Sequence, residues 1–155
     1  MLLHRLLAGA LLLALPVTPT LADVDRTAAP CWDRDEATAA RVQRFKTMLL
    51  VGALHCRDVD PYVMADYNAF VRSQRGFVNA SAELLRGNFV RRFGATYGAT
   101  AYSDYETALG NELSAGDFGP ERCEMVARYA RMAAEVSAAG LVDLAAETDD
   151  GEPRN

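Results

Sequence analysis

Apolar residues recur at helical spacing from about residue 33 to residue 147, and runs of alternating β-branched residues are absent from this region. A spacing of three to four residues puts apolar side chains on one face of an α-helix, whereas a strand needs a spacing of two. The pattern therefore predicts an all-α fold. The connections between the predicted helices are short and favour antiparallel neighbours, so we expect a compact bundle of four to five helices with one disulfide.

Capping and turn residues divide this pattern into five helices. The predicted helices begin near Asp33 or Asp35, Asp60, Asn79 or Ser81, Thr100 and Pro120, and they end near Cys56, Gly76, Gly94 or Gly98, Leu113 and Gly140. On the first helix, one face carries apolar residues at every turn and should be buried. This face consists of Val42, Phe45, Leu49, Ala53 and Cys56.

The N-terminus is typical of a secretory signal peptide. A single cation, Arg5, precedes an apolar run over residues 6–15, and small residues lead up to Ala22. The run is too short to cross a bilayer, which takes roughly 20 apolar residues. We expect cleavage after Ala22 and a periplasmic or secreted protein that leaves the membrane. The predicted parts are a signal peptide over 1–22, an N-terminal extension over 23–32, a helical domain over 33–146 and a disordered acidic tail over 147–155.

The chain has a net charge of −5, and removal of Arg5 with the signal peptide would make it more acidic. An acidic surface repels nucleic acids and anionic lipids. No glycine-rich phosphate loop and no Cys-x-x-Cys pair occur in the sequence. We therefore expect no nucleic-acid partner and no cofactor, and we assign no catalytic residue and no metal ligand.

Three cysteines, Cys31, Cys56 and Cys123, would mature in an oxidising compartment. One disulfide uses two of them, and the third is left to link two copies of the chain in a dimer. A continuous first helix would hold Cys31 about 30 Å from Cys56, too far for a bridge, so Cys123 is the common partner. Five alternating helices bring Cys123 back to the end where the first helix begins, which favours Cys31–Cys123. The alternative, Cys56–Cys123, is supported by the core-facing positions of both residues.

Two groups of side chains are candidates for function. His55 adjoins Cys56 at the end of the first helix, where the pair could serve a small hydrolase or a ligand site, or bind Cu(I) together with a methionine. Most of the tyrosines fall between the second and fourth helices, and their apolar rings and polar hydroxyls suit a binding surface. This candidate surface consists of Tyr62, Tyr67, Tyr97, Tyr102 and Tyr105.

Several segments together resemble a group of small secreted or periplasmic bacterial helical proteins to which no established activity attaches. These segments are Cys31-Trp32, residues 48–57, Tyr97-Gly98, residues 105–112 and Cys123. Some members of that group carry an S-adenosylhomocysteine hydrolase label. Such a hydrolase is much longer and holds NAD on a Rossmann domain, whereas this sequence has neither the strands nor the Gly-x-Gly-x-x-Gly turn.

The sequence thus favours an exported, non-enzymatic domain that binds another protein, as small chaperone-like or immunity-type modules do. A small hydrolase or ligand-binding protein with a site near His55 and Cys56 is the alternative interpretation. Copper handling at the same residues is a further one.

Overall fold

The structure, a computed structural model, describes residues 32–150. Within this region every regular element is a helix, and the helices pack against one another, which confirms the predicted all-α fold. The helices are α1 (Arg34–Cys56), α2 (Val63–Ser73), α3 (Arg75–Ser114), α4 (Pro120–Glu135) and α5 (Ala138–Asp150). The predicted signal peptide and nearly all of the N-terminal extension lie outside the described residues.

Helix α1 begins where its capping residues predict. The Asp33 carboxylate accepts a hydrogen bond from the Glu36 amide at 2.8 Å, and the Glu36 carboxylate accepts one from the Asp33 amide at 3.1 Å. This reciprocal arrangement satisfies two amides that the helix leaves unpaired. Glu36 is buried and also pairs with Arg91 of α3, so the cap ties the start of α1 to a neighbouring helix.

Helix α3 consists of two helical halves that meet at Gly94. Gly94 has φ +78° and ψ 164°, a conformation that glycine adopts far more readily than residues with a side chain. Gly98 then lies directly against Val90, so that an added Cβ would stand 2.5 Å from the Val90 Cα. The second half of α3 therefore folds back onto the first. The predicted helix end at Gly94 corresponds to this reversal.

Helix α2 and the first half of α3 make one pass along α1. As the chain advances, its partners on α1 move steadily back toward the α1 N-terminus. The pairs are Phe70 with Phe45, Val78 with Gln43, and Arg91 with Glu36. The connection at Gln74 is therefore not a reversal, whereas the sequence placed a helix end at Gly76. After α2 the chain first turns back at Gly94, so that the second half of α3 runs parallel to α1. It turns back again over residues 115–119, and α4 runs antiparallel to α1.

This path brings Cys123, near the start of α4, to the C-terminal end of α1. Cys56 and Cys123 form a disulfide with their α-carbons 5.4 Å apart. The alternative pairing, Cys56–Cys123, is confirmed. The favoured pairing, Cys31–Cys123, is wrong because that prediction assumed one chain reversal too many between α1 and Cys123. One turn before Cys56, Val126 packs so closely on Gly52 that a Cβ there would lie 2.5 Å from a Val126 methyl carbon. Cys31 lies outside the described residues.

The main core lies between α1, α2, α4 and α5. Each residue predicted to face inward on α1 is buried in it, which confirms the helical pattern. These residues are Val42, Phe45, Leu49, Ala53 and Cys56. Buried Gln74 binds the junction of α2 and α3 to this core, since its side-chain amide donates to the carbonyls of Ala133 and Val136 at 3.0 Å and 2.7 Å.

The predicted last helix is two helices in the structure. Helix α4 ends at Glu135, five residues before the expected stop at Gly140, and the backbone of Val136 is extended. The Ser137 hydroxyl then accepts a hydrogen bond from the Gly140 amide at 3.2 Å, as an N-cap does. Gly140 therefore lies in the first turn of α5.

Helix α5 extends to Asp150 and so includes residues 147–150, which the sequence assigned to a disordered tail. Two long-range contacts hold this last turn. The Tyr129 hydroxyl donates to Glu147 at 3.2 Å, and Arg44 pairs with Asp149 at 3.5 Å. The residues after Asp150 lie outside the described part of the chain. Among residues 32–150, no helix has both the length and the apolar character that a bilayer-spanning segment needs.

Candidate functional site

The structure does not bring together the five tyrosines of the predicted binding surface. Tyr62 and Tyr97 are exposed, whereas Tyr67 and Tyr102 are buried and Tyr105 is half-buried. Tyr62 lies just after the C-terminus of α1, while Tyr97 follows the reversal in α3, near the α1 N-terminus. The two exposed rings therefore lie at opposite ends of the bundle.

Tyr102 and Tyr105 belong to a small second core with Trp32 and Phe89. The Trp32 ring meets the rings of Phe89 and Tyr105 edge to face, with centroids 5.9 Å apart in each pair. Burial raises the pKa of both phenols, and the Glu106 carboxylate, which accepts a hydrogen bond from Tyr102 at 3.2 Å, raises the pKa of Tyr102 further. These rings fix the start of α1 against α3.

His55 is exposed in the last turn of α1 and stacks on Phe118 with ring centroids 4.2 Å apart and planes 3° from parallel. Its neighbour Cys56 is fully buried and bonded to Cys123. In this state Cys56 can act neither as a thiol nucleophile nor as a Cu(I) ligand, because both roles require a thiolate. The proposed hydrolase and copper sites thus lack their sulfur. Among the described side chains, no three of His, Cys, Asp or Glu are grouped to hold a metal ion.

A groove of about 300 Å³ opens between α1, the end of α3, α4 and α5. Three apolar side chains, each from a different helix, form its floor. They are Met48, Leu113 and Met125. The remaining lining residues are polar or amphipathic and come from α4 and α5. They are Arg122, Tyr129, Glu147 and Thr148. A much smaller recess adjoins the groove and shares three of these residues, Met48, Leu113 and Thr148.

Helix α4 supplies one wall along the length of the groove. Arg122, Met125 and Tyr129 follow one another at intervals of three and four residues, which puts them on one face. At 1.5 Å per residue, Arg122 and Tyr129 are about 10 Å apart along the helix axis. The groove therefore has a cationic end at Arg122 and a second polar end at Tyr129.

At the Tyr129 end the polar groups bind one another. The Tyr129 hydroxyl donates to Glu147 at 3.2 Å, and the Thr148 hydroxyl donates to the Leu144 carbonyl at 3.3 Å and to a second α5 carbonyl. Burial, with a smaller contribution from Glu147, raises the pKa of the Tyr129 phenol. The hydroxyl groups at this end of the groove therefore already have hydrogen-bond partners within the domain.

At the other end, Arg122 is half-buried and lies over the Phe118 ring, with its guanidinium carbon 4.5 Å from the ring centroid. Its closest polar contact is the Asp117 carbonyl at 3.5 Å. Gly116 leaves room for the guanidinium, because an added Cβ there would overlap it. The Phe118 ring thus contacts both the Arg122 guanidinium and the His55 ring.

The groove combines apolar side chains with charged and hydroxyl groups. No histidine or cysteine lines it, and the hydroxyls of Tyr129 and Thr148 are engaged as hydrogen-bond donors. The Tyr129 hydroxyl and the Glu147 carboxylate of the lining already bind each other at 3.2 Å. The apolar floor and the charged ends can recognise an amphipathic group.

Sequence patterns did not predict this groove, for two reasons. Met48 and Met125 lie on apolar stripes, where methionine usually fills a core, and Glu147 was placed in the tail. The sequence does contain a signal for α5, which supplies Glu147 and Thr148 to the groove. Leu141, Leu144 and Thr148 continue a helical spacing through residue 147.

Comparisons of the chain with protein-family models, with curated proteins and with solved structures found no match. The groove between α1, the end of α3, α4 and α5 is therefore the feature from which a function can be inferred.

Proposed function

We propose that this chain is an exported, non-enzymatic binding module, and that the groove receives apolar side chains from a segment of another protein. The observation that carries the proposal is the composition of the groove, with two methionines and a leucine on an open floor between charged ends. Methionine is flexible and polarizable, so a surface that contains it adapts to different side chains. Such adaptability suits a chaperone-like module that binds more than one partner.

The size of the groove supports an anchoring role. Its volume of about 300 Å³ is at the small end of ligand pockets, which suits one or two side chains rather than a whole helix. A stable protein–protein interface buries roughly 1,600 Å², so flanking surface must contribute. Leu54, Val59 and Tyr62 are exposed apolar residues at the same end of the bundle as Arg122, and they provide such surface.

Export is part of the proposal. The buried disulfide is compatible with an oxidising compartment, and the predicted leader over residues 1–22 and the resemblance to small secreted bacterial proteins point the same way. The intact mass of the protein from its native host should correspond to a chain that begins at Asp23. A mass that includes residues 1–22 would contradict export with cleavage.

Site-specific photocrosslinking tests the groove. A photoreactive amino acid at position 125, inside the groove, should crosslink to a partner in the native host. The same amino acid at position 132 is the matched control, because Met132 lies on the same helix but is exposed and outside the groove. The crosslinked partner is identified by mass spectrometry, purified and titrated against the module.

In that titration, Thr148→Trp should weaken binding at least tenfold, because the larger ring would occupy the groove from its rim. Met132→Ala should leave the affinity unchanged. Circular dichroism and thermal unfolding of both variants check that the fold is intact. Equal crosslinking from positions 125 and 132, or a folded Thr148→Trp protein with unchanged affinity, would rule out the groove as the docking site.

A small apolar molecule is a second candidate occupant, since the groove volume falls within the range of small-molecule pockets. The fluorescent naphthylamine N-phenyl-1-naphthylamine can be used as the test ligand. Saturable binding that Thr148→Trp abolishes, together with no protein crosslink from position 125, would favour this candidate over the protein segment.

A further inference from the structure

The Arg122 guanidinium is held in place on the groove wall without a carboxylate partner. It lies on the Phe118 ring, against Gly116 and near the Asp117 carbonyl. Within residues 32–150 no carboxylate lies within ion-pair distance of it. Three arginines of the described residues pair with carboxylates of other helices, as Arg131 does with Asp66 at 2.9 Å. Arg122 is thus a positioned cation that has no ion-pair partner among the described residues.

The two charged side chains that line the groove, Glu147 and Arg122, differ in whether they already have a partner. Glu147, at the opposite end, already accepts a hydrogen bond from Tyr129. Arg122 is separated from that end by about 10 Å of helix axis, which exceeds the screening length of about 8 Å at physiological ionic strength. Glu147 is therefore not an ion-pair partner of Arg122, although the whole chain is acidic.

Met125 follows Arg122 by three residues and lies about 4.5 Å farther along the axis of α4. In an extended peptide, residues i and i+2 point to the same side and are roughly 7 Å apart. A peptide can therefore place one side chain at Arg122 and the next side chain of the same face over the floor formed by Met48, Leu113 and Met125.

On the premise of the proposed function, we infer that the docked segment carries an acidic residue followed two positions later by an apolar one. The carboxylate binds the Arg122 guanidinium, and the apolar side chain enters the methionine-lined floor. Arginine suits this role because its planar guanidinium can donate two parallel hydrogen bonds to a carboxylate. The positioned guanidinium loses little side-chain freedom on binding.

Fluorescence anisotropy with labelled five-residue peptides tests this inference. The full mature protein is titrated in 50 mM salt with acetyl-Gly-Glu-Ser-Leu-Gly-amide and with versions that carry Gln or Lys in place of Glu. We expect the Glu peptide to bind about tenfold more tightly than the Gln peptide, as a charge-assisted hydrogen bond implies. Arg122→Gln should abolish this preference, and Arg122→Glu should transfer it to the Lys peptide.

Two further variants control for charge and for position. Arg131→Gln makes the same charge change on the same helix outside the groove and should keep the tenfold preference. Gly116→Ala should reduce it without any charge change, because the new methyl group displaces the guanidinium. A preference that persists in Arg122→Gln would overturn the inference.

Other outcomes separate this inference from the proposed function. If Glu and Gln peptides bind equally and Thr148→Trp abolishes both interactions, the groove is a docking site but acid recognition is overturned. If no peptide binds at millimolar concentration, acid recognition is overturned, and the crosslinks from position 125 decide the proposed function separately. A self-association that Arg122→Gln dissolves would assign the groove to a second copy of the chain and would also overturn the inference.

Discussion

Loss of the Cys56–Cys123 disulfide should lower the free energy of unfolding by about 4 kcal/mol. The bridge joins residues 67 apart in the sequence and limits how far the unfolded chain can separate them. For a loop of this length, the chain-entropy relation gives about 15 cal/mol/K, or about 4 kcal/mol at 25 °C. In a domain of this size, such a loss lowers the midpoint of thermal unfolding by roughly 15 °C.

The assay is urea unfolding followed by circular dichroism at 222 nm. The oxidised protein is compared with the double variant Cys56→Ala/Cys123→Ala, in which alanine avoids placing a hydroxyl in the core. Both cysteines are at most 1% exposed, so the small cavities that alanine leaves act in the same destabilising direction. The expected result is a lower urea midpoint, with a slope that is equal or slightly larger because the unfolded chain expands.

Cys31→Ala provides the control. It leaves the bridge intact and should keep the full stability of the oxidised protein. If Cys31→Ala were as destabilising as Cys123→Ala while Cys56→Ala had no effect, the chain path through α3 would be incorrect. A double variant that loses less than about 1 kcal/mol would refute the loop-entropy reasoning. Peptide mapping of the unreduced protein by mass spectrometry checks the pairing directly.

Three other changes have defined expectations. Gly98→Ala should lower stability in urea by about 3 kcal/mol, because its Cβ would stand 2.5 Å from the backbone of Val90, whereas Gly110→Ala, with nothing within 4 Å, should gain up to about 1 kcal/mol of helix propensity. Above about pH 10, where unfolded tyrosine begins to ionise, stability should fall as pH rises, because the raised pKa of Tyr102 keeps its proton on the folded protein; urea titrations of Tyr102→Phe should show a flatter decline. Gln74→Ala leaves two carbonyls at the end of α4 without their donor, and it should cost about 2 kcal/mol and speed amide hydrogen exchange there.

Local signals in the sequence were sufficient for most helix ends and for the buried faces. Asp33 forms the cap that starts α1, and Pro120 opens α4. Each signal acts within one turn of helix, so its effect does not depend on how distant parts of the chain pack. The apolar stripe of α1 was likewise predictable, because helical periodicity alone determines which side chains share a face.

The reversals of the chain were not predictable in the same way. Gly76 and Gly94 both interrupt a helical pattern, yet only Gly94 has a positive φ, and Gly76 lies in the first turn of α3 with no neighbour near its Cβ. The distinguishing feature lies four residues after Gly94, where Gly98 lets the second half of α3 contact the backbone of the first. Its importance depends on Val90 being its neighbour, a contact that exists only in the folded chain.

One misplaced reversal changes every later assignment, because the direction of each helix depends on the number of turns before it. An extra turn moves the start of α4 from one end of α1 to the other, a distance of about 35 Å for a helix of this length. It would separate Cys123 from Cys56, and it would remove Arg122 and Met125 from Met48, so neither the disulfide nor the groove would form. The disulfide and the groove therefore depend on the same chain path. If the cysteine variants show that Cys123 pairs with Cys56, they also support the arrangement of α1 and α4 that creates the groove.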